Sequence, residues 1–116
     1  MALSGQLKLL VGPAFLSSTL TTNVYNNTSA LLYDQLRQIH ITNITGTAAT
    51  FSLWLGATGA NAAGTELWKG VSVAANSSFD FYWTPGLKMI STQFLVGGSG
   101  TASALVITLH GEQVVV

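Results

Sequence analysis

Apolar and polar positions alternate over short stretches of this chain, and turn-forming residues separate the stretches. The clearest case is Leu36 to Gly56. On its first arm Ile39 and Ile41 share one side, and Gln38, His40 and Thr42 share the other. On its second arm Phe51, Leu53 and Leu55 alternate with Thr50, Ser52 and Trp54. Successive side chains of a strand point to opposite faces, so a period of two sets one row on a core and the other outward. Asn43 to Ala49 supplies the break, with Gly46 free to take backbone angles that other residues avoid. The spacing predicts a hairpin whose outward row carries His40 and Trp54.

The same pattern predicts further strands on both sides of this stretch. Gln6 to Val11 is a short strand ended by Gly12-Pro13, and Ala14 to Tyr25 is a second extended region. Ala30 to Gln38 has some helical character, but it has no clean stripe and is too short to stand alone. It is read as a connection into the Leu36 strand. Ala57 to Thr65 has no bulky apolar side chain and reads as a loop. Glu66 to Val73 and Ser78 to Thr84 follow as strands, the second with Phe79, Phe81 and Trp83 on its core side. Pro85-Gly86 marks a turn, and Gly97 to Gly100 a flexible loop. Leu87 to Ile90 and Gln93 to Val96 are short strands. Thr101 to Val116 closes the chain, with Leu105, Ile107 and Leu109 inward and Val106 and His110 outward. About eight strands with a turn signal every 8–12 residues predict an all-β, antiparallel β-sandwich, jelly-roll-like, in a single domain over 1–116 with a loose terminus at 1–5.

Composition changes this picture in one respect. Charged residues are 7% of the chain, against roughly 25% for an average soluble domain, and the charges sum to zero. They are scattered, so the electrostatic footprint of a nucleic-acid binder or a basic membrane-surface protein is missing. A chain that is 48% hydrophobic with zero net charge tends to associate. Depletion of charge is also a mark of interface cores. The expectation is a homo-oligomer, with a trimer favoured. No apolar run reaches the ~20 residues of a membrane helix. The run Leu9 to Leu16 is broken by Pro13 and preceded only by Lys8, so no signal peptide is expected.

Candidate chemistry is sparse. His40 and His110 are the two histidines, both mid-strand among apolar neighbours, and neither is expected to be catalytic. If their strands come together, both imidazoles share one outward patch. With no cysteine and two separated histidines, no zinc cluster is expected, and the four carboxylates lack calcium-loop spacing. No cofactor is expected. Trp54 is outward in phase, and tryptophan is enriched at interface hot spots. The expected subunit interface is therefore His40, Trp54, Val106 and His110. Sugar stacking on Trp54, Trp68 and Trp83 is the competing use of the indoles.

Several segments together resemble the small structural proteins of tailed bacteriophages. They are Ile39-His40-Ile41-Thr42-Asn43, Ala49-Thr50-Phe51-Ser52-Leu53-Trp54-Leu55-Gly56, Ala63-Gly64-Thr65-Glu66-Leu67 and Val71-Ser72-Val73-Ala74-Ala75-Asn76-Ser77. The closing strand, Leu105 to Gly111, is also similar. The resemblance runs from about Leu36 onward, and the first third matches only in layout. It implies a non-enzymatic virion component that decorates a capsid through repeated contacts, with the major capsid protein or another virion protein as partner. It implies synthesis in the host cytoplasm and residence on the virion. A tail- or baseplate-associated protein and a carbohydrate-binding module for host attachment are the alternatives.

Overall fold

A computed structural model describes residues 6–56 and 63–115 of the chain. Its strands are β1 (Gln6–Phe15), β2 (Asn23–Tyr25), β3 (Leu32–Asn43) and β4 (Ala49–Gly56), then β5 (Glu66–Val73), β6 (Ser78–Met89), β7 (Phe94–Ser99) and β8 (Leu105–Val115). They form two four-stranded sheets in the orders β1-β8-β3-β6 and β2-β7-β4-β5. Every neighbouring pair is antiparallel. Eight strands divided this way make a jelly roll, the all-β sandwich that the alternation predicts.

The core lies between the sheets and consists of the rows read as inward. Ile39 and Ile41 of β3, Phe51 and Leu53 of β4, and Leu105, Ile107 and Leu109 of β8 are all fully buried. Burying a side chain of this size stabilises a fold by roughly 1.5–3 kcal/mol relative to leaving it in water.

Leu36 to Gly56 is not a hairpin. Its first arm belongs to one sheet and its second arm to the other. Both arms are apolar on one side, and stacking them across the core buries each row against the other. Asn43 holds the crossing. Its side chain is buried, donates from Nδ2 to Thr47 O (2.8 Å) and Val73 O (3.0 Å), and accepts at Oδ1 from Thr45 N and Oγ1. The second crossing, from β5 to β6, is stapled beside it by Asn43 N to Ser77 O and Asn76 N to Thr45 O. The first arm also starts earlier than read, since β3 takes in Leu32 to Gln38.

Three turn signals lie inside strands. Gly12-Pro13 sits in β1 and Pro85-Gly86 in β6, each at an irregularity in strand register. β1 and β6 are the two edges of their sheet. Proline lacks a ladder donor, and an edge strand has a side that needs none. Gly97-Gly98-Ser99 belongs to buried β7. A Cβ on Gly97 would lie 2.0 Å from Ser52 O, and one on Gly98 2.2 Å from Ser17 O. These glycines allow close backbone approach, a strand use that composition does not separate from a loop. Of the second extended region, Phe15 closes β1 and only Asn23–Tyr25 forms a separate strand. The terminus at 1–5 and most of the loop read at 57–65 lie outside the described residues.

Candidate functional site

The antiparallel register maps the outer face of the β1-β8-β3-β6 sheet. One row across it reads Leu7, Glu112, Gln35, Lys88, and the next Leu9, His110, Gln38, Tyr82. Thr108, His40 and Asp80 form a third row, and Phe15, Val106, Thr42 and Ser78 a fourth. The face thus has two halves. Along β1 it is apolar and open, with Leu7 67%, Leu9 48% and Phe15 54% exposed. Along β3 and β6 it is a polar network.

His40 is the centre of that network. Its Nδ1 is 2.5 Å from Asp80 Oδ1 and its Nε2 is 2.7 Å from Thr42 Oγ1. Gln38 Nε2 donates to Asp80 Oδ1 and to Tyr82 Oη. Hydroxyl, imidazole and carboxylate therefore follow one another as in a nucleophile–base relay. Acyl transfer also needs donors aimed at the developing oxyanion. β3 is paired on both sides, with β8 and β6, so its backbone is committed to the two ladders. The geometry suits a side chain held in one orientation on a flat face. Arg37 stands nearby, with Nε donating to Glu112 Oε1 at 2.6 Å and Nη2 reaching the same oxygen.

His110 lies on the same face, in register with Leu9 and Gln38 and diagonal to His40. Its Nδ1 is buried and makes no hydrogen bond. Val106 lies two rows from His110, level with Phe15. Three of the four expected interface residues are thus brought onto one face. Trp54 is not among them. It points away from Phe51 and Leu53, as its phase requires, but it lies on the other sheet and is 6% exposed. Its register partner Val96 is fully buried, and neither belongs to the central core cluster. The outer side of β4 and β7 is covered within the chain, so Trp54 is unavailable as a contact surface.

Two features were missed from the sequence. The apolar edge of β1 is one; its signal was Leu7 and Leu9 flanking Lys8, whose ammonium is turned to Gln113 Oε1 at the rim. The other is an aromatic seam. Trp68 on β5 meets Phe79, Phe81 and Trp83 on β6 at ring-centroid distances of 5.6, 5.4 and 5.7 Å. β5 and β6 are edges of opposite sheets, so these rings close one open side of the sandwich. Phe81 and Trp83 are therefore rim residues rather than central core, and Phe81 is 39% exposed.

Inside the sandwich, Asp34 is fully buried. Burial pushes its carboxyl above the usual aspartate range, against hydrogen bonds that favour the charge. Tyr25 Oη donates to Asp34 Oδ2 at 3.0 Å, and Gln113 Nε2 donates to Tyr25 Oη. Burial and the neighbouring carboxylate push the Tyr25 phenol up to about 12. The cluster ties β2, β3 and β8 together. Among the described residues no group of three or more His, Asp or Glu is placed to hold a metal ion. No protein-family model and no curated protein sequence matches the chain.

Proposed function

We propose that this chain is a non-enzymatic structural protein of a virus particle, one that decorates a capsid through repeated subunit contacts. The observation that carries the proposal is the half-apolar outer face, with Leu7, Leu9 and Phe15 open to solvent beside Val106. Large apolar side chains exposed along one sheet edge, beside a polar network, point to an interaction surface. Zero net charge and 7% charged residues favour association through it. The resemblance from Leu36 onward to small phage structural proteins supplies the setting. Many weak copies of one contact, fixed on a symmetric shell, act with high effective concentration. A trimer is the favoured assembly, and a tail or baseplate position would use the same surface.

Sedimentation velocity at micromolar concentration tests the surface. The native chain is expected to sediment as an oligomer and Leu9→Glu as a monomer with an unchanged circular dichroism spectrum. A native monomer, or an oligomer indifferent to Leu9→Glu, rejects it.

A second reading has its own support in the aromatic seam. Trp68 and Trp83 are half-buried and border the exposed Phe81. Rings of this kind stack on sugars in carbohydrate-binding modules. Glycan-array binding abolished by Trp83→Ala, with assembly intact, would favour that reading over the first.

A further inference from the structure

At one end of the molecule a cleft of about 380 Å³ is lined by Ala30, Leu32, Tyr33, Lys88, Ile90 and Val115, with Ser91 at its rim. That volume lies within the roughly 300–1,000 Å³ of small-molecule sites. The lining is mostly apolar, with Lys88, Ser91 and Tyr33 as its polar residues, and Lys88 Nζ stands 4.5 Å from the centre of the Tyr33 ring. Lys88 has no carboxylate partner among the described residues, whereas Arg37 is paired with Glu112 and Lys8 is held by Gln113.

The cleft is framed by two tied turns. Asn26 Nδ2 donates to Ser91 O at 3.0 Å and to Gln93 O at 2.7 Å, and Gln93 Oε1 accepts from Ile90 N at 2.9 Å. On the facing side Leu32 N donates to Ser29 O, and Ser29 N to Asn27 Oδ1. These bonds fix both walls before any ligand arrives, which lowers the ordering cost of binding.

We infer that this cleft binds a small amphiphilic monoanion, its carboxylate on Lys88 and its hydrocarbon body against Leu32, Ile90 and Val115. Charge complementarity selects the occupant. A carboxylate adds an ion contact with the exposed ammonium that a neutral ligand lacks, and a cationic ligand would be repelled by it. The inference is independent of the assembly surface, which lies along β1.

The test is a titration of the full chain, followed by amide and methyl NMR, with octanoate, octan-1-ol and octylammonium as probes. Octanoate is expected to shift Tyr33, Ile90 and Val115 saturably, and the other two probes to bind at least several-fold more weakly. Lys88 is exposed, so Lys88→Gln is expected to fold and to weaken octanoate roughly fivefold, as for an exposed ion contact. Ile90→Glu is expected to abolish octanoate binding. Equal binding of octanol, unchanged affinity in Lys88→Gln, or shifts confined to other parts of the chain would each overturn the inference.

Discussion

Trp54 and Val106 hold equivalent places in the alternation of their strands. Each faces away from a row of core residues, and each reads as outward. Val106 lies on an open face beside exposed Phe15, while Trp54 is 6% exposed on a face its own chain covers. The difference teaches that strand period gives the direction of a side chain and not its exposure. A sandwich has two outer faces. In this one the outer side of β1 is exposed at Leu7, Leu9 and Phe15, and the outer side of β4 and β7 is buried at Trp54 and Val96.

Replacing Trp54 is the sharpest way to break that comparison. Trp54→Ala is expected to cost about 3–5 kcal/mol, as for other buried aromatic truncations. Urea denaturation followed by circular dichroism measures it; a loss below 1 kcal/mol would put Trp54 back among surface residues. Next in size is the close backbone approach between β7 and β4. Gly97→Ala sets a Cβ 2.0 Å from Ser52 O, at a positive φ of 154°, and is expected to cost at least the ~1–3 kcal/mol of overpacking. Gly46, with nothing within 4 Å of its Cβ position, serves as the control. Gly46→Ala is expected to be neutral, or to stabilise by up to ~1 kcal/mol through the unfolded chain.

A smaller effect comes from the buried polar cluster, and its sign follows from Asp34. The folded carboxyl titrates above the unfolded value, so its neutral form is the one the fold prefers. That contribution is fully present below the unfolded pKa, 3.8, and is lost as pH rises through the folded value. Stability curves should therefore fall over this range in the native chain and flatten in Asp34→Asn. The Tyr25 phenol, at about 12, should move down in the same variant, because a neighbouring negative charge is gone; ultraviolet titration of the tyrosinate reads it. An unchanged late phenol would remove Asp34 as a cause. The smallest effect belongs to the open face. Phe15→Ser is expected to change the stability of the dissociated chain by no more than ~0.5 kcal/mol, while weakening any assembly that uses β1.

The fold class was legible because burial and period coincide. Ile39, Ile41, Phe51, Leu53, Ile107 and Leu109 alternate as strand residues and all reach the core. Part of the candidate site was legible for the same reason, since His40, Val106 and His110 are outward in phase and do share one face. The partners of His40 were not, because Asp80 comes from a strand some forty residues away whose register no local pattern states.

What the sequence by itself determined is which side of the main strands is apolar, that the fold is all-β, and how few charges the chain carries. These follow from local alternation and composition. The tertiary structure alone decided that the two arms of Leu36 to Gly56 lie in different sheets, and that Gly12-Pro13 and Pro85-Gly86 interrupt edge strands instead of ending them. It also decided that Trp54 is covered and Leu9 is not. Each of these depends on which strands become neighbours. Pairing is settled by the whole set of faces that must be buried together, and no single segment carries that information.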